Sequence, residues 1–206
     1  MSASLYGTWF DDENYVSLTF GYGYHSYDSV RDLIFAAPPL EAKGDFSGHT
    51  FTIAPEVGKL FRWDEMELEP FATLDYTHFR HQSYDEDGAG GAGLSVNDDT
   101  EDSICTELGV RFRSDFDLEN GGRLMPELRL SWLHDFSDEV VNTARFAGAN
   151  TSFQTTGIDV VEDIFNIGLG VNWQFDDSKV FYTHYDAELG SGFDGHTLQA
   201  GIKVLF

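Results

Sequence analysis

Apolar and polar residues alternate along most of this chain with a period of two, and the clearest run is the last one. Residues 196–206 read H-T-L-Q-A-G-I-K-V-L-F. Leu198, Ala200, Ile202, Val204 and Phe206 fall on one face, and Thr197, Gln199, Gly201 and Lys203 fall on the other. Leu205 is the only apolar residue in the second row. Strand side chains point to alternate faces, so this is a ribbon with one apolar and one polar side. Chain ends usually fray. A barrel in lipid must instead pair its last strand to close, which calls for an ordered, apolar end.

The same alternation recurs upstream. Residues 6–10 predict a short strand and residues 15–31 a long one. In the long one Val16, Leu18, Phe20, Tyr22 and Tyr24 lie opposite Ser17, Thr19, Gly21, Gly23 and His25. Further strands are predicted at 46–61, 68–81, 104–116, 124–136, 164–175 and 179–186, the last with faces the pattern does not assign. With the terminal run this makes about nine strands of meander type. The connections alternate in length. Those at 11–14, 62–66, 117–122 and 176–178 are short, and those at 37–43, 82–101, 137–163 and 187–195 are longer. Outer-membrane barrels sort their connections this way, with short periplasmic turns and long external loops. A soluble sandwich has no reason to. The expected fold class is therefore all-β: an antiparallel up-and-down transmembrane β-barrel, a meander in one domain over residues 1–206.

Composition narrows the picture. Lys and Arg number 12 against 36 Asp and Glu, a formal charge of −24 over 206 residues. Nucleic-acid binding needs a basic surface and is excluded as a function class. Such acidity often signals disorder, but aromatic residues make up 15% of this chain and recur inside the strand runs. No stretch of about eighteen apolar residues is present, so no membrane helix is predicted. A barrel strand needs only every second residue apolar. Cys105 is the single cysteine, which rules out an internal disulfide. The start, M-S-A-S-L-Y-G, has neither the basic nor the apolar region of a signal peptide. For an outer-membrane protein, export information is expected upstream.

In a barrel the polar face becomes the lumen. Glu56, Asp75, Glu107, Arg111, Arg113, Glu127 and Arg129 are the charged residues expected there. Buried charges persist when paired, so Arg–carboxylate bridges across the lumen are expected. Trp9, Trp63, Trp132, Trp173 and Tyr185 stand near strand ends, as in interfacial aromatic girdles. No catalytic motif of the G-x-S-x-G, H-E-x-x-H or P-loop kind occurs. His78 and His81 fall on opposite faces of a strand, poor geometry for one metal. The acidic run 97–102 lacks the glycine and spacing of a calcium loop and reads as solvated. Asp85, Glu86, His134 and His184 are the residues an external hydrolytic site would draw on, and nothing in their spacing requires one. No cofactor, metal or catalytic residue is expected.

The ordered set Y-G-T-W-F, Y-V-S-L-T-F-G-Y-G-Y, R-D-L-I-F, T-I-A-P-E-V-G-K-L-F, L-E-P-F-A-T-L-D-Y, L-G-V-R-F, M-P-E-L-R-L-S-W-L-H-D-F, G-L-G-V-N-W and Q-A-G-I-K-V-L-F resembles the translocator domain of bacterial autotransporters, the type V secretion system. The resemblance implies a twelve-stranded outer-membrane barrel with a helix through its lumen, and an N-terminal passenger that the barrel helps to secrete and anchors at the surface. Against that pattern the first strands, the lumen helix and the passenger are lacking. The resemblance also implies that Gln199, Gly201, Val204 and Phe206 are the C-terminal signal read by the barrel-assembly machinery. Outer-membrane lipid, lipopolysaccharide, that machinery and the passenger are the partners it implies. A small outer-membrane barrel acting as a surface hydrolase or adhesin is the alternative.

Overall fold

The computed structural model describes residues 1–34, 36, 38–119, 121–137, 141–149, 151–157, 160–176 and 178–204. Nine long strands form one antiparallel sheet in which spatial order follows chain order. They are β1 (Ser2–Asp11), β2 (Asn14–Leu33), β3 (Leu40–Lys59), β4 (Met66–His81), β5 (Asp99–Ser114), β6 (Arg123–Asp135), β7 (Asp163–Asp176), β8 (Lys179–Gly190) and β9 (Phe193–Val204). Two short pieces extend the wall: Phe61–Trp63 pairs with β4 and Phe116–Asp117 pairs with β6. Among the described residues β1 and β9 each pair with one neighbour only, so the sheet is a curled, unclosed meander.

Register sorts the side chains. Ser17, Glu56, Thr73 and Glu107 lie in line across β2 to β5. Arg111 aligns with Arg129, and Arg129 with Gly168 and Asp186. The opposite face carries Leu18, Pro55, Leu108, Trp132, Phe165 and their row-mates. The surface is inverted relative to a soluble protein. Leu169, in the middle of an apolar row, is 52% exposed, whereas Glu69 and Ser131 on the polar face are 4% and 8% exposed. A wall whose wet-looking face is buried and whose oily face is bare is a wall meant for lipid on the outside.

Several boundaries differ from the pattern-based expectation. β1 spans ten residues, where the alternation marked only 6–10, because its polar Ser2 and Ser4 pair with Gly23 and Gly21 of β2. The stretch 187–195 is not a loop: β8 and β9 run through it in register and turn at residues 191–192, where Gly192 takes φ 74°. β2 and β3 are each twenty residues, twice what a tilted strand needs to cross a bilayer. Their loop-side halves project beyond the wall. The short-turn side matches expectation, with Asp12 and Asp64 in the left-handed region at φ 50° and 49°, a conformation Asp tolerates better than most residues.

The two long connections are not open coil. Tyr84–Asp85, Leu94–Val96, Val141–Phe146 and Ser152–Thr156 form a second, four-stranded antiparallel sheet. It rests on the inner face of the projecting β2–β3 hairpin. Lys43 and Asp87 exchange backbone hydrogen bonds, Tyr84 stacks on Phe46 at 4.5 Å, and Arg31 pairs with Glu86. Leu33, Ala42 and Ala89 make a small buried apolar cluster there.

Candidate functional site

The lumen face carries a charge network at its turn-side end. Arg111 of β5 reaches between β3 and β4. Its guanidinium donates to Glu56 at 3.0 Å, to Glu69 at 2.5 Å and to the Tyr15 hydroxyl at 3.1 Å. Tyr15 lies 2.7 Å from Glu56 and 2.6 Å from Glu69. One hydroxyl proton serves one carboxylate at a time, and Arg111 neutralises the crowding of the three oxygens. Arg113, two residues on and on the same face, donates to Glu127 at 2.8 Å and Glu67 at 2.9 Å and also pairs with Glu69. Arg129 pairs with Glu107 at 2.5 Å. Phe71 floors the group, with the Arg111 guanidinium 3.8 Å from its ring centroid. Arg forks suit this role because each binds two carboxylates in a fixed geometry.

Glycines let the aromatic side chains lie flat on the wall. A Cβ on Gly109 would stand 2.5 Å from the Phe71 ring, and one on Gly58 would stand 2.5 Å from the Tyr15 ring. The rings cover backbone that no side chain shields, as in aromatic rescue of sheet glycines.

Of the seven lumen residues expected from sequence, six are brought together: Glu56, Glu107, Arg111, Arg113, Glu127 and Arg129. Asp75 faces the same way but stands apart, accepting a hydrogen bond from Thr77 at 3.1 Å and no ion pair among the described residues. The pattern missed Tyr15, Glu67, Glu69 and Phe71. Parity along β4 puts Glu67 and Glu69 inward, but only the pairing of Glu69 with Arg111 and of Glu67 with Arg113 shows what they meet. The faces of β8 are also settled by register: Tyr182, His184 and Asp186 line the lumen opposite Asn172, Gly170 and Gly168. Arg129 Nε, Ser131 Oγ and Asn166 Oδ1 are buried there without a hydrogen-bond partner among the described residues.

The residues of an imagined external hydrolytic site do not converge. His134 faces outward against Asp163 at 2.9 Å. His184 faces the lumen, 3.6 Å from Asp186. Glu86 is held by Arg31 and the Leu94 amide. Of the acidic run, Asp98 pairs with Arg80 and Asp102 with His78, so they are committed to strand neighbours. No group of three His, Cys, Asp or Glu suited to a metal occurs among the described residues. Within the terminal strand Gln199 and Gly201 face the lumen side and Val204 the apolar side. Phe206 lies outside the described residues.

An apolar exterior, an ion-paired interior and a meander with short turns at one end define the class: the wall of a transmembrane β-barrel. The model of the autotransporter beta-domain matches residues 1–186, and the chain belongs to that family. It is the wall of an autotransporter translocator barrel. The translocator domain of the autotransporter NalP from Neisseria meningitidis superposes with a TM-score of 0.68 at 18% identity, covering 100% of this chain and 67% of that one. The beta domain of the Bordetella autotransporter BrkA superposes with a TM-score of 0.62 at 18% identity, covering 100% of this chain and 72% of that one. Two extracellular serine proteases of Serratia marcescens are 25% and 24% identical over 186 residues, 90% of this chain. The chain spans only 18% of the length of these relatives.

Proposed function

We propose that this chain forms the C-terminal part of a translocator barrel in the outer membrane of a Gram-negative bacterium, and that strands N-terminal to it complete the wall. The barrel supports secretion of an N-terminal passenger and anchors it at the surface, without catalysis of its own. The observation that carries this reading is the pairing of an inverted surface with two unpaired sheet edges. In a bilayer each unpaired backbone group costs several kcal/mol, so β1 and β9 need partners. The partial coverage of the translocator chains supports the same view. The surplus of carboxylates around Arg111 and Arg113 supports a lumen that holds a polar segment of the same polypeptide. The proteolytic activity named for the Serratia relatives is assigned to no residue here.

The partners follow from the same reading: outer-membrane lipid, lipopolysaccharide, the barrel-assembly machinery and the passenger. Gln199, Gly201, Val204 and Phe206 are the proposed assembly signal, read by strand addition along β9. The test is fractionation of the full-length protein in a Gram-negative host, with protease added to intact cells. A passenger shaved from the surface and a barrel recovered only with detergent support the proposal. Recovery of the whole protein without detergent overturns it. Replacing Phe206 and Gly201 together should lower the membrane-inserted fraction; unchanged insertion removes the assembly role.

A further inference from the structure

Histidines mark one boundary of the apolar wall. Four of the seven face outward, and each sits at the loop-side end of an apolar row. Each is tied across an external hairpin through Nδ1. His49 of β3 meets the Tyr22 hydroxyl of β2 at 2.8 Å. His78 of β4 meets Asp102 of β5 at 2.8 Å, and Tyr76 donates to the same carboxylate at 2.6 Å. His134 of β6 meets Asp163 of β7 at 2.9 Å, which also accepts from the Trp132 indole at 2.9 Å. His196 of β9 meets the Tyr185 hydroxyl of β8 at 2.9 Å. All four external hairpins of the wall thus carry one such clip. The turn-side end is built differently. Permanently charged groups clip it: Lys59 to Glu13, Arg62 to Glu67, Arg123 to Asp115 and Lys179 to Asp176.

Bonding through Nδ1 leaves Nε2 available. It makes no hydrogen bond among the described residues in His49, His78 or His134, and in His196 it lies 3.9 Å from Asp194. The charged and titratable neighbours at this level are few. His49 has Tyr22 and Tyr24 on the β2 side and Arg80 opposite it on β4. His78 has Tyr76 and Asp102, with apolar Phe51 opposite on β3. Arg80 pairs with Asp98 at 3.3 Å. His134 has Asp163 and faces Thr106 on β5. His196 has Tyr185 and Asp194 and faces Ala187 on β8. With the histidines neutral the band is acidic, because Asp98, Asp102, Asp163 and Asp194, with Asp28 and Asp45 beyond His49 on β2 and β3, outnumber Arg80. With them protonated the four added charges offset most of that acidity, and both nitrogens of every ring then carry a proton to donate.

We propose that this band binds the phosphate groups of the outer-leaflet lipid, and that it does so when acidification charges the histidines. The proposal rests on the membrane reading above, which sets the ends of the apolar rows at the headgroup level. Phosphate is the fitting partner because protonated imidazole supplies a charge-assisted donor at a surface otherwise poor in cations. Lysine or arginine would hold the lipid at every pH; histidine makes the hold conditional.

The test uses the full-length protein in detergent micelles, with lipid A as the probe and a chelator present to remove divalent bridging. Affinity is measured at about pH 7.5 and about pH 5.5. Expected is a gain of about fivefold for each histidine that becomes charged. The gain should vanish in the H49Q/H78Q/H134Q/H196Q variant and persist in H184Q, whose histidine faces the lumen. Heat-modifiable gel migration reports folding. If the fourfold variant does not fold, each single variant should lose its own fraction of the gain. Equal affinity at both pH values, or a gain that survives the substitutions, overturns the proposal. A protein that stays soluble without detergent overturns the membrane reading, and the lipid band with it.

Discussion

Arg111 is the residue on which the lumen wall depends most. Its guanidinium is the common partner of Glu56, Glu69 and Tyr15, and all these side chains are largely shielded. Removing one partner of a buried ion pair leaves uncompensated charge. Arg111→Met is expected to destabilise the folded barrel by about 3–5 kcal/mol, measured by urea unfolding in vesicles. Adding Glu56→Gln and Glu69→Gln should recover most of the loss. If the single variant is as stable as the parent, the network is decorative. At Gly109 the expected effect is steric. A valine there meets Phe71 and the Ser131 Cβ at 2.5 and 2.7 Å, and overpacking of that kind costs about 1–3 kcal/mol. Gly109→Val together with Phe71→Ala should relieve the clash, which separates it from a loss of backbone freedom. The inward parity of these groups is readable from the alternation. Their partners are not, because β2, β3, β4 and β5 meet only through register.

At the scale of elements, the loop sheet shows where local pattern stops informing. Its four strands come from two connections separated in sequence by β5 and β6, and none is long enough to show a period. They form because the projecting β2–β3 hairpin offers an inner face, and because Glu86 is clamped to Arg31. The Arg31 guanidinium, and to a lesser degree the Leu94 amide, hold the Glu86 carboxyl below the usual carboxylate range. A lowered folded value means the clamp stabilises the loop sheet above about pH 4.3 and is lost as pH falls through that lowered value. The protection of the Lys43, Leu94 and Ala147 amides against exchange, relative to the unfolded chain at the same pH, should therefore be lost as pH falls through that lowered value. Glu86→Gln should make exchange fast at neutral pH and remove the acid step. Unchanged protection in the variant would show that backbone pairing alone holds the sheet.

For the whole molecule the decisive property is which face meets lipid. Leu169→Arg, at the middle of an outward row, is expected to cost about 2–4 kcal/mol in vesicles. Gln174→Arg, on the lumen face of the same strand, should cost about 0.5 kcal/mol or less. A water-soluble sheet would show no such contrast, since an exposed leucine tolerates arginine. The strand count of the wall was legible for a related reason: each crossing repeats the same alternation, and turns of few residues separate alternate crossings. The merging of β8 and β9 through 187–195 was not, because Gly190, Gly192 and Gly195 break the apolar row and imitate a loop.

The amino-acid order by itself determined the wall. Alternation of period two assigns each residue to lipid or lumen, and the two longest connections mark the loop end, because both are local properties of a strand meander. Tertiary structure alone decided who meets whom. The Arg111 network, the loop sheet and the outward histidine clips all join residues of different strands, up to 96 positions apart in the chain. A shift of one residue in register would exchange their faces and dissolve them. That register is set by the pairing of whole strands, which no window of sequence contains.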